Sequence, residues 1–193
     1  MADFKVAYNR TMGAEGGYSN NPNDAGGETW KGVARKKNPS WAGWPIVDQI
    51  KKNAGFPGTL KDDSILEGQV QKFYKEFFWD CFRGDNIANQ SIANEMFDTG
   101  VNCGPGIAVQ ILQRSLNILN KKQALWPNIT IDGGFGAQTM DTINRCLSAN
   151  MGKRLYSLMN ILQGYRYIEI MERNESQEEF AGGWLSRCEL VSS

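Results

Sequence analysis

At 193 residues the chain can bury roughly 70% of its unfolded surface, enough for one substantial core or two small lobes without help from metal or disulfide. Its 21 lysines and arginines equal its 21 aspartates and glutamates, which argues against a protein that holds nucleic acid by neutralising phosphates. It has no histidine, so a general acid or base near neutral pH must be a tuned Glu, Asp, Lys, Tyr or Cys, and its longest apolar runs fall far short of the ~20 residues that cross a bilayer.

Asp3, Lys5 and Arg10 punctuate the N-terminus with no apolar stretch behind them, so no secretory signal peptide is expected. Phe4, Ala7, Tyr8 and Met12 recur at helical spacing and predict a first helix that delivers Glu15 at its C-terminal end, where Gly16 and Gly17 stop it. Residues 18–60 then hold Pro22, Pro39, Pro45 and Pro57 among many glycines. A connection that long carries function or hidden short elements, for example strands or helical turns around Trp30 to Ala34.

The tightly turning segment after Glu15 brings a second carboxyl, Asp24, nine residues on, a layout that can face two acids across a cleft. Glycosidases need such a pair: one acid protonates the leaving oxygen while another carboxylate serves as nucleophile, base or charge stabiliser. Residues 1–60 carry eight basic side chains against five acidic ones. That excess suits either attraction of an anionic polymer or an ordinary solvated loop.

Ser64-Ile65-Leu66-Glu67 reads as a capping box, followed by a core helix of Leu66, Val70, Phe73, Tyr74, Phe77 and Phe78 up to about Cys81. Ser91 is the expected cap of the next helix, which runs through Phe97 to about Val101; Gly104-Pro105-Gly106 breaks the chain before another helix carrying Ile107, Ile111, Leu112 and Leu116. Asp132-Gly133-Gly134-Phe135-Gly136 reads as a turn leading into a helix over Ala137 to Ala149, and a further helix is expected from Arg154 to Glu172. The expected fold is mainly α with a small irregular or short-stranded N-terminal lobe. Cys81, Cys103, Cys146 and Cys188 form no CxxC pair, so they are expected to be reduced core thiols, and no metal or cofactor is expected.

Five segments occur in an order that resembles glycoside hydrolase family 108, the family of phage endolysins and bacterial secretion activator proteins, whose members look like N-acetylmuramidases. They are Glu15-Gly16-Gly17-Tyr18; Gly26-Gly27-Glu28-Thr29 with Gly32; Phe97-Asp98-Thr99-Gly100-Val101-Asn102 with Gly104-Pro105; Asp132 to Thr139; and Gly183-Trp184-Leu185-Ser186-Arg187. The resemblance implies a lysozyme-like helical fold, with Glu15 in the position of the catalytic acid. It also implies a catalytic region over residues 1–100 and a helical peptidoglycan-binding-like region over 101–193, forming one unit. The order Glu15, Asp24, Thr29 is similar to the spacing in phage-type lysozymes, where a Glu, an Asp and a Thr surround the scissile bond. This chain departs from many relatives in placing Trp30 after the Thr, and it has a longer loop with Trp41 and Trp44.

The implied reaction is hydrolysis of the β-1,4 bond between N-acetylmuramic acid and N-acetylglucosamine. Its oxocarbenium-like transition state needs a proton donor, so Glu15 must hold its proton near neutral pH through a pKa raised by partial burial. Asp24 fits either electrostatic or base work in the cleft or a cap on its own turn, and Thr29 either holds a water or the Asp carboxylate or has no chemical task. Tyr18, Trp30, Trp41 and Trp44 are candidates for stacking on sugar rings or for the core. Asn102 either bonds an N-acetyl group or caps its helix. Asp98 is read as holding its helix against the N-terminal segment, whereas Trp184 and Arg187 pack the C-terminus back, with Arg187 paired to a carboxylate. A lytic transglycosylase and a non-enzymatic wall-binding accessory of a secretion apparatus are the competing functions. The partners expected are peptidoglycan strands and a holin-like or secretion-system membrane protein, with no nucleic acid; the enzyme would be made in the bacterial cytoplasm and exported to the wall.

Overall fold

A computed structural model describes residues 1–12, 17–21 and 26–188, and among these it is mainly α: eight α-helices and one small three-stranded antiparallel sheet. The chain divides into two units, Tyr8–Phe77 and Met1–Ala7 with Phe78–Ser193. The first helix, α1 (Phe4–Met12), therefore contributes residues to both. No helix among the described residues is long and apolar enough to cross a membrane.

The unit Tyr8–Phe77 contains the sheet. Strands β1 (Tyr18–Ser19), β2 (Thr29–Trp30) and β3 (Val33–Ala34) lie in that order, with Tyr18 opposite Trp30, and Trp30 opposite Val33. Directly opposed residues share a face, so Trp30 and Val33, both buried, point to the core, whereas Thr29 and Ser19 occupy the other side. The β2–β3 loop is Lys31-Gly32, with φ 43° and 79°; two successive positive φ values are what a two-residue hairpin loop of the I′ kind demands. Only glycine fits the second position, because a Cβ there would lie 2.3 Å from the Tyr74 hydroxyl, which donates to the Lys31 carbonyl at 2.8 Å.

Two helices complete this unit. Helix α2 (Trp44–Ile50), with Pro45 in its first turn, buries Trp44, Val47 and Ile50; it lies inside the stretch expected to be irregular. Helix α3 (Ser64–Phe78) buries Leu66, Val70 and Tyr74 at the expected spacing. Its cap is Asp63, whose carboxylate accepts from the Leu66 N–H at 2.8 Å, so the capping box read from Ser64 does not form. Glu67 is engaged elsewhere, by the Tyr8 hydroxyl (3.0 Å), Gln71 (3.1 Å) and the Lys31 ammonium (2.7 Å). The helix also ends before Cys81, which sits in a short 3-10 turn, Asp80–Phe82.

In the other unit, α4 (Gln90–Cys103) is capped by Asn89, whose side chain accepts from the Ile92 N–H at 3.1 Å, two residues ahead of the expected Ser91. Gly104 (φ 92°) breaks the chain and Pro105 opens α5 (Pro105–Leu119), which packs on α4 and on α7 (Gly152–Arg173). Helix α6 (Ala137–Ser148) and α7 lie within two residues of their expected bounds. The N-terminal residues are built into this unit. Asp3 exchanges bonds with the Gln90 side chain (2.7 and 3.0 Å), and the Phe4 ring meets Trp79 and Phe97 edge-on at 5.8 and 5.7 Å. Trp79 and Phe97 are fully buried, each contributing about 2–3 kcal/mol by removal of apolar area from water.

The Asp132–Gly136 turn owes its shape to one buried side chain. Gln113, 2% exposed, accepts from the Asp132 and Gly133 N–H groups (3.1 and 3.0 Å) and donates to the Asp132 carboxylate and the Gly134 carbonyl (2.9 and 3.0 Å). At the other end, Trp184 of α8 (Ala181–Leu185) stacks on Tyr167 at 5.1 Å, and Arg187 pairs with Asp98 at 2.8 Å. Asp98 also accepts from Gln163 of α7 at 3.2 Å, so its partners are C-terminal rather than the N-terminal segment expected. The four cysteines are free, but the expectation of core thiols holds only for Cys146, which is buried with its thiol pushed up to about 11; Cys81 is exposed, and Cys103 and Cys188 are half-buried.

Candidate active site

Glu15 and Asp24, the two carboxyls expected to carry the chemistry, lie outside the described residues, as does Gly16. Their neighbours along the chain are described. Glu15 falls between Met12, the last residue of α1, and Tyr18, the first of β1; Asp24 falls in the β1–β2 connection ahead of Thr29. Thr29, half-buried in β2, donates its hydroxyl to the Gly27 carbonyl at 3.1 Å, which leaves its oxygen lone pairs available as acceptors.

Tyr18 is held by a carboxylate that the sequence reading did not single out. Its hydroxyl donates to Glu28 at 2.9 Å, and its ring stands edge-on to Phe56 with centroids 4.7 Å apart. Glu28, whose side chain is 11% exposed, is also ion-paired to Arg35 (2.7 Å) and to Lys51. Arg35 in turn forms a two-pronged bond to Asp48 (3.0 and 2.6 Å) with its guanidinium 4.3 Å from the centre of the Trp44 ring.

This network sets the local charges. The hydrogen bonds from Arg35 hold the Asp48 carboxyl below its ordinary value, outweighing the smaller effect of burial. Burial and the bond to Glu28 raise Tyr18, keeping it a neutral donor. Burial alone would lower Lys51, but bonding to Glu28 outweighs it and the ammonium is stabilised. Likewise burial would raise Glu67, yet the bonds from Lys31, Gln71 and Tyr8 bring it below its ordinary value.

The four aromatic candidates separate by burial. Trp30 and Trp44 are 4% and 2% exposed, so neither presents a ring face to a sugar; they are core residues, Trp44 further tied by its N–H to the Asn38 carbonyl at 2.8 Å. Tyr18 and Trp41 are half-exposed. Trp41 lines a cavity of about 310 Å³ together with Phe73, Phe77, Lys37, Lys72 and Glu76. Asn102, in the other unit, is exposed and its amide donates back to the Asp98 carbonyl at 2.8 Å within α4, the local bonding of its helix-end alternative. Among the described residues no cluster of Cys, Asp or Glu is arranged to hold a metal.

A mainly α chain with a small three-stranded antiparallel sheet near its N-terminus is the layout of a lysozyme-like fold. Residues 8–104 match the family model described as Glycosyl hydrolase 108, and the chain belongs to that family, whose members act on peptidoglycan. Residues 107–189 match a second model, described as Predicted Peptidoglycan domain. Among solved structures, SagA of Brucella abortus is similar over 96% of this chain and 88% of that one, with a TM-score of 0.57 and 20% identity, a likeness of fold. No curated protein matches the chain.

Proposed function

We propose that the protein is an N-acetylmuramidase that hydrolyses the β-1,4 bond between N-acetylmuramic acid and N-acetylglucosamine, with Glu15 as general acid and Asp24 as the second carboxylate. Thr29 orients the water or the Asp24 carboxylate, and Tyr18 and Trp41 contact sugar. In this reading residues 1–100 form the catalytic region and 101–193 the wall-binding one. Delivery to the wall runs through a holin-like or dedicated export partner.

The observation that carries the reading is the state of the carboxylates near the sheet. Glu28 faces two cations, Asp48 is clasped by Arg35, and Glu67 is paired to Lys31. The Asp48 and Glu67 carboxyls are held below their ordinary values by these partners and are counter-ions, poor proton donors. We assign the acid role to Glu15, which lies in the sequence between α1 and β1 and within the residues that match the family model.

The chemistry follows from that assignment. Glu15 protonates the bridging oxygen as the C–O bond breaks, and the opposing carboxylate stabilises the positive sugar ring or activates the water that captures it. Purified wild type is expected to clear peptidoglycan suspensions and release reducing ends, with Glu15→Gln at least about a hundredfold slower. Clearing by Glu15→Gln at the wild-type rate overturns the assignment. Products ending in 1,6-anhydro sugars would identify a lytic transglycosylase instead, and wall binding with no cleavage by wild type would identify an accessory role.

A further inference from the structure

The cavity beside Trp41 is built from the unit Tyr8–Phe77 alone, and its chemistry is more specific than that of a general sugar platform. Its aromatic wall is rigid. The Trp41 N–H donates to the Gln69 carbonyl at 3.3 Å, its ring meets Trp44 edge-on at 5.0 Å, and Gly43 lies flush on it, so close that a Cβ there would sit 2.3 Å from a ring carbon. Phe73 extends the wall from α3, its ring 6.5 Å from Trp41 and 4.8 Å from the half-exposed Phe77. An indole fixed on three sides loses little freedom when a flat ligand covers its remaining face.

The rim adds charge. Lys37 comes from the loop after β3 and Lys72 from α3, and both are exposed, against the single carboxylate of Glu76. A neutral glycan has no use for two ammonium groups, whereas an aromatic wall does not suit a bare anion. The ligand that satisfies both is an amino sugar carrying a carboxylate-bearing substituent: its apolar C–H face lies on the indole, the carboxylate meets the lysines, and Glu76 accepts from a hydroxyl or amide N–H. About 310 Å³ is at the small end of the ~300–1,000 Å³ range of ligand pockets and admits one such unit.

We propose that this cavity is a wall-binding subsite selective for the peptide-substituted sugar of peptidoglycan over the unsubstituted one. The inference rests on the wall-glycan substrate proposed above and names which of its two sugars the Trp41 cavity reads. It also gives Lys37, one of the eight basic residues among 1–60, a place where a stem carboxylate arrives.

The test uses monosaccharide probes, which contain no bond for the enzyme to cleave, titrated into the full chain while the Trp41 indole N–H is followed by NMR. N-acetylmuramyl dipeptide is expected to bind at least about fivefold more tightly than N-acetylglucosamine, the gain coming from the two rim charges. The double variant Lys37→Gln/Lys72→Gln removes the preference, and Trp41→Ala, titrated by calorimetry because its own signal is gone, weakens both probes about tenfold. Equal binding of the two probes, a preference that survives in the double lysine variant, or no shift of the Trp41 signal with either probe overturns the proposal. Failure here leaves the Glu15→Gln cleavage assay untouched, and failure of that assay leaves the binding preference standing, so the two readings fall separately.

Discussion

The Tyr18 hydroxyl donates to Glu28 at 2.9 Å, tying the first residue of β1 to the residue that precedes β2. The bond fixes a ring that stands three residues beyond the proposed acid. Glu28 holds Tyr18, Arg35 and Lys51 together. Glu28→Gln keeps the shape and leaves two cations facing a neutral amide, a loss of about 2 kcal/mol of stability read as a lower urea midpoint. Tyr18→Phe, which removes only the hydroxyl, costs about 1 kcal/mol in the same measurement.

The loop residue Gly32 is held by two independent demands, a φ of 79° and the Tyr74 hydroxyl in the space a Cβ would fill. Gly32→Ala is expected to cost more than about 2 kcal/mol, the sum of left-handed backbone strain and displacement of the Tyr74 bond. In the double variant Gly32→Ala/Tyr74→Phe the clash is relieved while the backbone strain stays, so the two costs combine to less than their sum. Additive costs in thermal unfolding would refute the steric account.

Glu67 gives the fold a defined acid sensitivity. Its folded-state pKa lies below the ordinary 4.5, so its contribution is present above the unfolded value and is lost as pH falls through the folded one. Urea midpoints measured from neutral pH downward should therefore drop below about pH 4.5, and Glu67→Gln should flatten that part of the curve.

Gln113 satisfies two backbone N–H groups and two acceptors of the Asp132–Gly134 turn from a fully enclosed position. Gln113→Leu fills the same space and leaves the turn's N–H groups and acceptors to water, which loosens the turn. Amide exchange should speed up first at Asp132 and Gly133, with α5 and α7 little affected. Uniform loss of protection would mean that the side chain supports the core rather than the turn.

Helices were legible wherever apolar residues recur on one face, as along α3, α5 and α6. Their starts were less so. Asp63 and Ser64 are both cap-forming residues, and the Glu67 that would decide for Ser64 is recruited by Tyr8 and Lys31, residues distant in sequence. Helix α2 carries little sequence signal because it is short and begins Trp44-Pro45 within a run that reads as loop. Of the candidate site, the adjacency of Glu28 to Thr29 was visible, whereas the convergence of Arg35, Asp48 and Lys51 on it comes from folding. Trp30 and Trp44 carry no local mark of burial, since an aromatic in a Gly- and Pro-rich segment serves a core as readily as a surface.

Phe4 between Trp79 and Phe97, and Ala2 bonded at 2.8 Å to the Ile87 carbonyl, make the beginning of the chain a component of the unit that holds its C-terminal helices. The stretch that matches the peptidoglycan domain, 107–189, is therefore not the physical building block. Cut out at that boundary, it would lack Trp79 and Phe97 as well as the Phe4 ring that packs on both from the opposite end of the polypeptide. A fragment intended to behave like the parent should carry residues 1–7 grafted ahead of 78–188.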